Sequence, residues 1–195
     1  MIDYNPARKE IAAAKKCLDT MRLSRNLDEM DQLWRNCINH IEKSHTKLLS
    51  ATKSIKEKFS STFEQQFLSR KNDPLLKYIK QARDSDNHSI ADISKKVNSC
   101  VAFSSNPAAN KPTYIKKIII MEDGLVCTEF SGDPPQVDFI PERIVVVPVT
   151  NRGYTFHPPC QHLGEEVLTN SPIEIARNGI LFYEKWIDLS CEIFP

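Results

Sequence analysis

The sequence predicts an α+β chain: an N-terminal antiparallel helical bundle, followed by a small antiparallel β-sheet and a C-terminal helix. Three observations predict it. Apolar residues recur at helical spacing from residue 6 to about 100, they come in short β-branched runs from 113 to 150, and "SSNPAANKP" lies between the two regions. The expected units are a bundle over 1–102, a linker over 103–112 and a sheet with its C-terminal helix over 113–195.

Asn5 and Pro6 form a cap and first-turn pair, after which Ala7, Ile11, Ala14, Leu18 and Met21 repeat at alternating fours and threes. That stripe is a first helix ending near Ser24. Asn26, with Glu29 three residues later, starts a second helix whose stripe runs through Met30, Trp34, Cys37, Ile41, Ser44, Leu48, Ala51 and Ile55. The two are expected to pack as a long antiparallel hairpin. Asp73 and Pro74 open a third helix carrying Leu75, Leu76, Ile79 and Ala82. Ser89 with Asp92 has the pattern of a cap for a fourth helix bearing Ile90, Ile93 and Val97, which would complete a four-helix bundle. Strands are predicted over 113–120, 125–130, 136–140 and 143–149, with "EDG" as the hairpin turn between the first two. Ser171, Pro172 and Glu174 open the last helix, in which Ile173, Ala176, Ile180, Tyr183 and Ile187 line one side. It is expected to cover the sheet or to return to the bundle.

With 26 basic against 25 acidic side chains, the molecule has no overall field to draw in nucleic acid, so any RNA contact must be local. The charged start "MIDYNPARKE" and the lack of a long apolar run predict a cytoplasmic protein that does not enter the membrane. Six scattered cysteines without a CxxC pair read as free thiols. Five glycines, none arranged as a phosphate-cradling loop, argue against kinase-like or dinucleotide chemistry.

Three stretches place a histidine a few residues after an arginine: "RNCINH", "RDSDNH" and "RGYTFH". Nine arginines and five histidines would produce such a pair about once by chance, so context has to choose among them. On a continuous helix Arg35 and His40 lie about 140° apart, and Arg35 follows Asp31 by one turn, the arrangement of an exposed ion pair. Arg152 and His157 belong to a loop or edge strand running into "HPPCQH", where His157, Cys160 and His162 offer three zinc ligands without a fourth; an ordinary turn is the alternative. Arg83 differs, because Leu76, Ile79 and Arg83 share one helical stripe and place a guanidinium on an apolar face. His88 would sit beside the N-terminus of the fourth helix, where free amides favour an anion and a neutral imidazole. The competing reading pairs Arg83 with Asp84 or Asp86 and leaves His88 in a polar turn.

The stretch "DPLLKYIKQARDSDNHSI", residues 73 to 90, resembles the HEPN superfamily (higher eukaryotes and prokaryotes nucleotide-binding domain). Those all-helical domains carry an arginine, four to six residues and a histidine after an amphipathic helix, with a polar residue directly after the arginine. Arg83, Asp84 and His88 match it position by position. The resemblance implies a metal-independent endoribonuclease of toxin–antitoxin or defence type, without a cofactor, working as a homodimer on single-stranded RNA beside an antitoxin-like protein partner. It also implies that His88 moves protons while Arg83 steadies the charge of the transition state. Lys77 and Lys80 before the motif, and Lys95 and Lys96 after it, would hold flanking phosphates or else form solvated surface. The alternative from another class is a non-catalytic helical dimer whose sheet region binds a protein partner or small ligand.

Overall fold

A computed structural model describes residues 2–88, 91–104, 110–120 and 126–195. It is a mixed helical and sheet structure, as predicted, but the chain divides differently. One compact unit joins residues 1–96 to 144–195, and a second comprises Val97–Arg143. The C-terminal helix belongs with the helices at the start of the chain, which corrects the expected boundaries at 102 and 113.

In the first unit, α1 (Asn5–Leu23) and α2 (Leu27–Ala51) form the hairpin. Asn26 caps α2 by accepting from the amides of Asp28 and Glu29, as its position predicts. All five stripe residues of α1 are buried, and on α2 so are Trp34, Cys37, Ile41, Ser44 and Leu48. A 3-10 turn (Lys53–Ile55) leads into α3 (Lys56–Thr62) and α4 (Glu64–Asn72), two short helices that the stripes and caps of the sequence do not predict. Phe59, Phe63 and Phe67, four residues apart, carry their packing onto Trp186. Next comes α5 (Pro74–His88), which buries Leu75, Leu76, Tyr78, Ile79, Ala82 and Ser85.

The fourth helix does not form. Ser89 and Ile90 lie outside the described residues, while Ser94–Val97 is a strand, β1, paired with β6 (Arg143–Val146). From β6 the chain runs along α5: the Tyr78 hydroxyl donates to the Val147 carbonyl at 2.7 Å and the Asn151 amide to Gln81 Oε1 at 2.8 Å. There β7 (Val149–Asn151) and β8 (Tyr154–Phe156) make a hairpin, turning at Arg152 and Gly153 with positive φ. Two short strands follow, β9 (Gln161–His162) and β10 (Glu165–Glu166). α6 (Pro172–Ile193) then packs on α1, α2 and α5, taking the second of its two predicted positions. Gly179 permits the approach to α5, since a Cβ there would run into Ile79 Cδ1.

The second unit contains two antiparallel ladders in place of the single sheet predicted. One pairs β2 (Cys100–Ser104) with β5 (Gln136–Ile140), the other β3 (Tyr114–Ile120) with β4 (Val126–Ser131). The predicted hairpin pairing of the latter two strands is present, and its "EDG" turn falls outside the described residues. β2 occupies positions expected to be bundle and linker.

Asp73 joins the helical half to the returning segment. Its Oδ1 caps α5 by accepting from the Leu76 amide at 2.9 Å and meets His162 Nδ1 at 3.0 Å, while Oδ2 accepts from the Leu163 amide at 2.6 Å. These partners outweigh burial and hold its carboxyl below the ordinary aspartate range. Asp73→Ala removes a cap and a nearly buried acceptor together, so it is expected to cost about 2–3 kcal/mol of unfolding free energy. A urea titration showing a loss under about 1 kcal/mol would refute that role.

Among the described residues no helix is long and apolar enough to cross a membrane.

Candidate functional site

Off its apolar stripe α2 carries a second, polar one: Asn36, Asn39, His40 and Lys43, at i, i+3, i+4 and i+7. On α5, Arg83 and Asn87 make the matching pair one turn apart. The six residues line a single open cleft of about 400 Å³. The Asn87 amide donates to Asn39 Oδ1 at 3.4 Å, and the Asn39 amide to the Arg35 carbonyl at 3.1 Å, tying the two helices across one end. Lys43 is exposed and has no carboxylate partner among the described residues.

Arg83 keeps 28 % of its side chain exposed, and its Nη1 lies 3.0 Å from Asp84 Oδ1, the neighbour that the competing reading assigned to it. Asp84 also faces Lys80 Nζ at 3.6 Å, so two cations share one carboxylate. Asp86 is occupied elsewhere. It pairs with Arg35, whose guanidinium also meets Asp31 at 2.8 Å and Asp92 at 3.2 Å. Arg35 is thus a half-buried hub for three carboxylates, a correction to the simple exposed pair expected of it. These contacts outweigh its partial burial and raise its already high pKa.

Behind the cleft, Glu42 is buried. Its Oε2 takes Arg70 Nη2 at 2.5 Å and its Oε1 accepts from the Tyr183 hydroxyl at 3.4 Å. Burial raises the Glu42 carboxyl, and the fields of Arg70 and then Arg83 oppose that rise. Arg83 is thus within electrostatic reach of a buried carboxyl.

His88 is the last residue of α5 and is exposed, so the expected helix N-terminus beside it is replaced by a helix C-terminus. A helix C-terminus presents carbonyls rather than the free amides that the sequence argument places beside His88. His88 does not line the Arg83 cleft, and within one continuous helix the two residues point about 140° apart.

The histidine that does share the cleft is His40, with Nδ1 2.7 Å from Glu10 Oε2 on α1. A carboxylate on Nδ1 selects the tautomer that leaves Nε2 as the ring's second working atom. Spacing could not reveal this group, because its partners come from two other helices. The predicted lysines separate: Lys77 and Lys80 line another cavity between α4 and α5, whereas Lys95 and Lys96 lie on β1 rather than on a helix, with Lys96 paired to Asp28 at 2.8 Å. In "HPPCQH", His157 and Cys160 are exposed and His162 is engaged by Asp73. Among the described residues no three His, Cys, Asp or Glu side chains are placed to hold a metal ion.

No family model, curated protein or solved structure matches the chain.

Proposed function

We propose that the cleft between α2 and α5 binds a phosphodiester of single-stranded RNA and that the chain is a HEPN-like, metal-independent endoribonuclease acting as a homodimer. The observation that carries this reading is the lining of the cleft. Arg83, the arginine of the motif, shares an open site with Lys43, His40 and three asparagines, and among the described residues no carboxylate lines it. Such a set of donors suits a phosphate's acceptor oxygens.

In the proposed reaction the ribose 2′-oxygen attacks the adjacent phosphorus while its proton passes to a base. The bond from phosphorus to the 5′-oxygen then breaks, and an acid protonates that oxygen. The products are a 2′,3′-cyclic phosphate and a 5′-hydroxyl end. Arg83 and Lys43 stabilise the added negative charge. His40, its Nδ1 held by Glu10, offers Nε2 as the base. His88, exposed at the end of α5, supplies the acid. Because His88 turns away from its own Arg83, the acid comes from the second subunit, and that requirement is what ties activity to dimerisation.

Asp84, 3.0 Å from Arg83, favours a second reading in which the cleft holds an anion without cutting it. Incubation of purified protein with labelled single-stranded RNA in excess chelator separates the two. The first reading expects cyclic phosphate ends, with rates falling at least about a hundredfold in Arg83→Ala, His40→Ala and His88→Ala. RNA that is retained but uncut, with retention lost in Arg83→Ala, establishes the second.

A further inference from the structure

On the other side of Glu42 a second cavity opens, of about 270 Å³. Arg70 and Lys71 of α4, and Lys77 and Lys80 of α5, line it together with His45 of α2. Among the described residues no carboxylate contributes to the lining. The nearest are Glu42, which engages Arg70, and Asp84, which lies 3.6 Å from Lys80. Subtracting those two leaves Lys71 and Lys77 in excess. Both are exposed, and the Lys77 ammonium sits 5.5 Å from the centre of the Phe156 ring, a contact that orients it without neutralising it.

The inner wall adds an independent observation. His45 is 8 % exposed, and its Nε2 is buried with no hydrogen-bond partner among the described residues; the same holds for Nε of Arg70. Folded chains rarely leave such nitrogens unpaired, because each gives up its hydration without recovering a hydrogen bond. A ligand that only accepts hydrogen bonds, with several oxygens and about two negative charges, answers the excess cations and the guanidinium and imidazole beside them. A carboxylate is too small in charge and has too few acceptor oxygens to serve every group.

We infer that this cavity is a binding site for a phosphate monoester dianion, the terminal phosphate of an RNA strand or that of a free nucleotide. The site is independent of the cleavage reading, since it requires neither Arg83 nor His88 and would persist in a chain that never cuts RNA. Only α2 and α5 are common to the two sites, which lie on opposite flanks of the buried Glu42.

The test titrates the full chain with inorganic phosphate, with adenosine 5′-monophosphate, and with one short RNA carrying either a 5′-phosphate or a 5′-hydroxyl. Binding is followed through the His45 ring resonances and by calorimetry. The expected result is saturable phosphate binding that perturbs His45, weakens at least tenfold in Lys71→Ala/Lys77→Ala and survives in Arg83→Ala. Both lysines are exposed, so the double variant is expected to fold, and its amide spectrum checks that. Tighter binding of the 5′-phosphorylated RNA than of the mononucleotide assigns the site to a strand end; equal affinity assigns it to a free nucleotide. Absence of saturable phosphate binding overturns the inference, as does binding that is untouched in the double lysine variant or abolished by Arg83→Ala.

Discussion

Trp186→Ala is expected to lower the unfolding free energy by about 3–5 kcal/mol. The indole is 1 % exposed and stands at the meeting point of α6 with α2, α3 and α4. Phe67 meets it edge-on with centroids 5.0 Å apart, Phe59 is parallel to it at 6.4 Å, and His45, Phe63, Phe182 and Tyr183 complete the ring. Truncation would strip contacts from six rings at once and leave a void that short, tightly tied helices cannot close. Against a total stability of about 5–15 kcal/mol, that loss places the variant near the folding threshold. Trp186→Phe is the informative control. The indole Nε1 is buried without a partner among the described residues, so phenylalanine gives up area but also removes an unsatisfied donor, and a loss below about 2 kcal/mol is expected. Urea unfolding of both variants decides it: an alanine cost under about 1.5 kcal/mol would mean the cluster rearranges around the gap.

Acidification from pH 6.5 to 4 is expected to remove about 3 kcal/mol of stability through His45 alone. Burial among Tyr183 and Trp186, and secondarily the field of Arg70, push its imidazole down to about 3. Its pKa in the unfolded chain is near 6.5. Because the folded state holds the neutral ring, the contribution is complete above 6.5 and is lost as pH falls toward the folded value, by up to about 1.4 kcal/mol per pH unit. Glu42 acts in the opposite sense: its raised carboxyl gains stability as pH falls through its folded pKa. The lowered carboxyl of Asp73 adds to the acid loss only below its ordinary range. The difference between wild type and His45→Phe isolates the imidazole, since both other groups are common to the two proteins. Parallel pH profiles in phosphate-free buffer would rule out the assignment.

The helices of the first unit were legible wherever local chemistry decides. Asn26 caps α2, Asp73 and Pro74 open α5, and the Ala7 to Met21 stripe is buried throughout. Failure came where a partner far along the chain decides. Ile93 and Val97 sit at helical spacing, yet Ser94–Val97 extends because Arg143–Val146 pairs with it, and no window around residue 95 contains that strand. Phe59, Phe63 and Phe67 fall at helical spacing, but a break at Phe63 divides that face into two pieces too short for a capped pattern. The site divides in the same way. Arg83 stood out because a guanidinium on an apolar stripe is anomalous in one dimension. His40 was set aside because it points away from Arg35. That geometry is correct, but Glu10 and Arg83, which give His40 its chemical interest, are brought to it only by tertiary packing.

The hydroxyl of Tyr4 donates to the carbonyls of Ser190 and Phe194, at 3.1 and 2.9 Å. α1 is thus sealed by a helix that emerges from the ribosome only after the whole second unit. Until then the nascent hairpin lacks the cover of α6, a period of exposure in which chaperones or premature self-association compete with folding. Contacts of such long sequence separation also predict slow acquisition of the native state for a largely helical protein, on the millisecond-to-second side of the helical range.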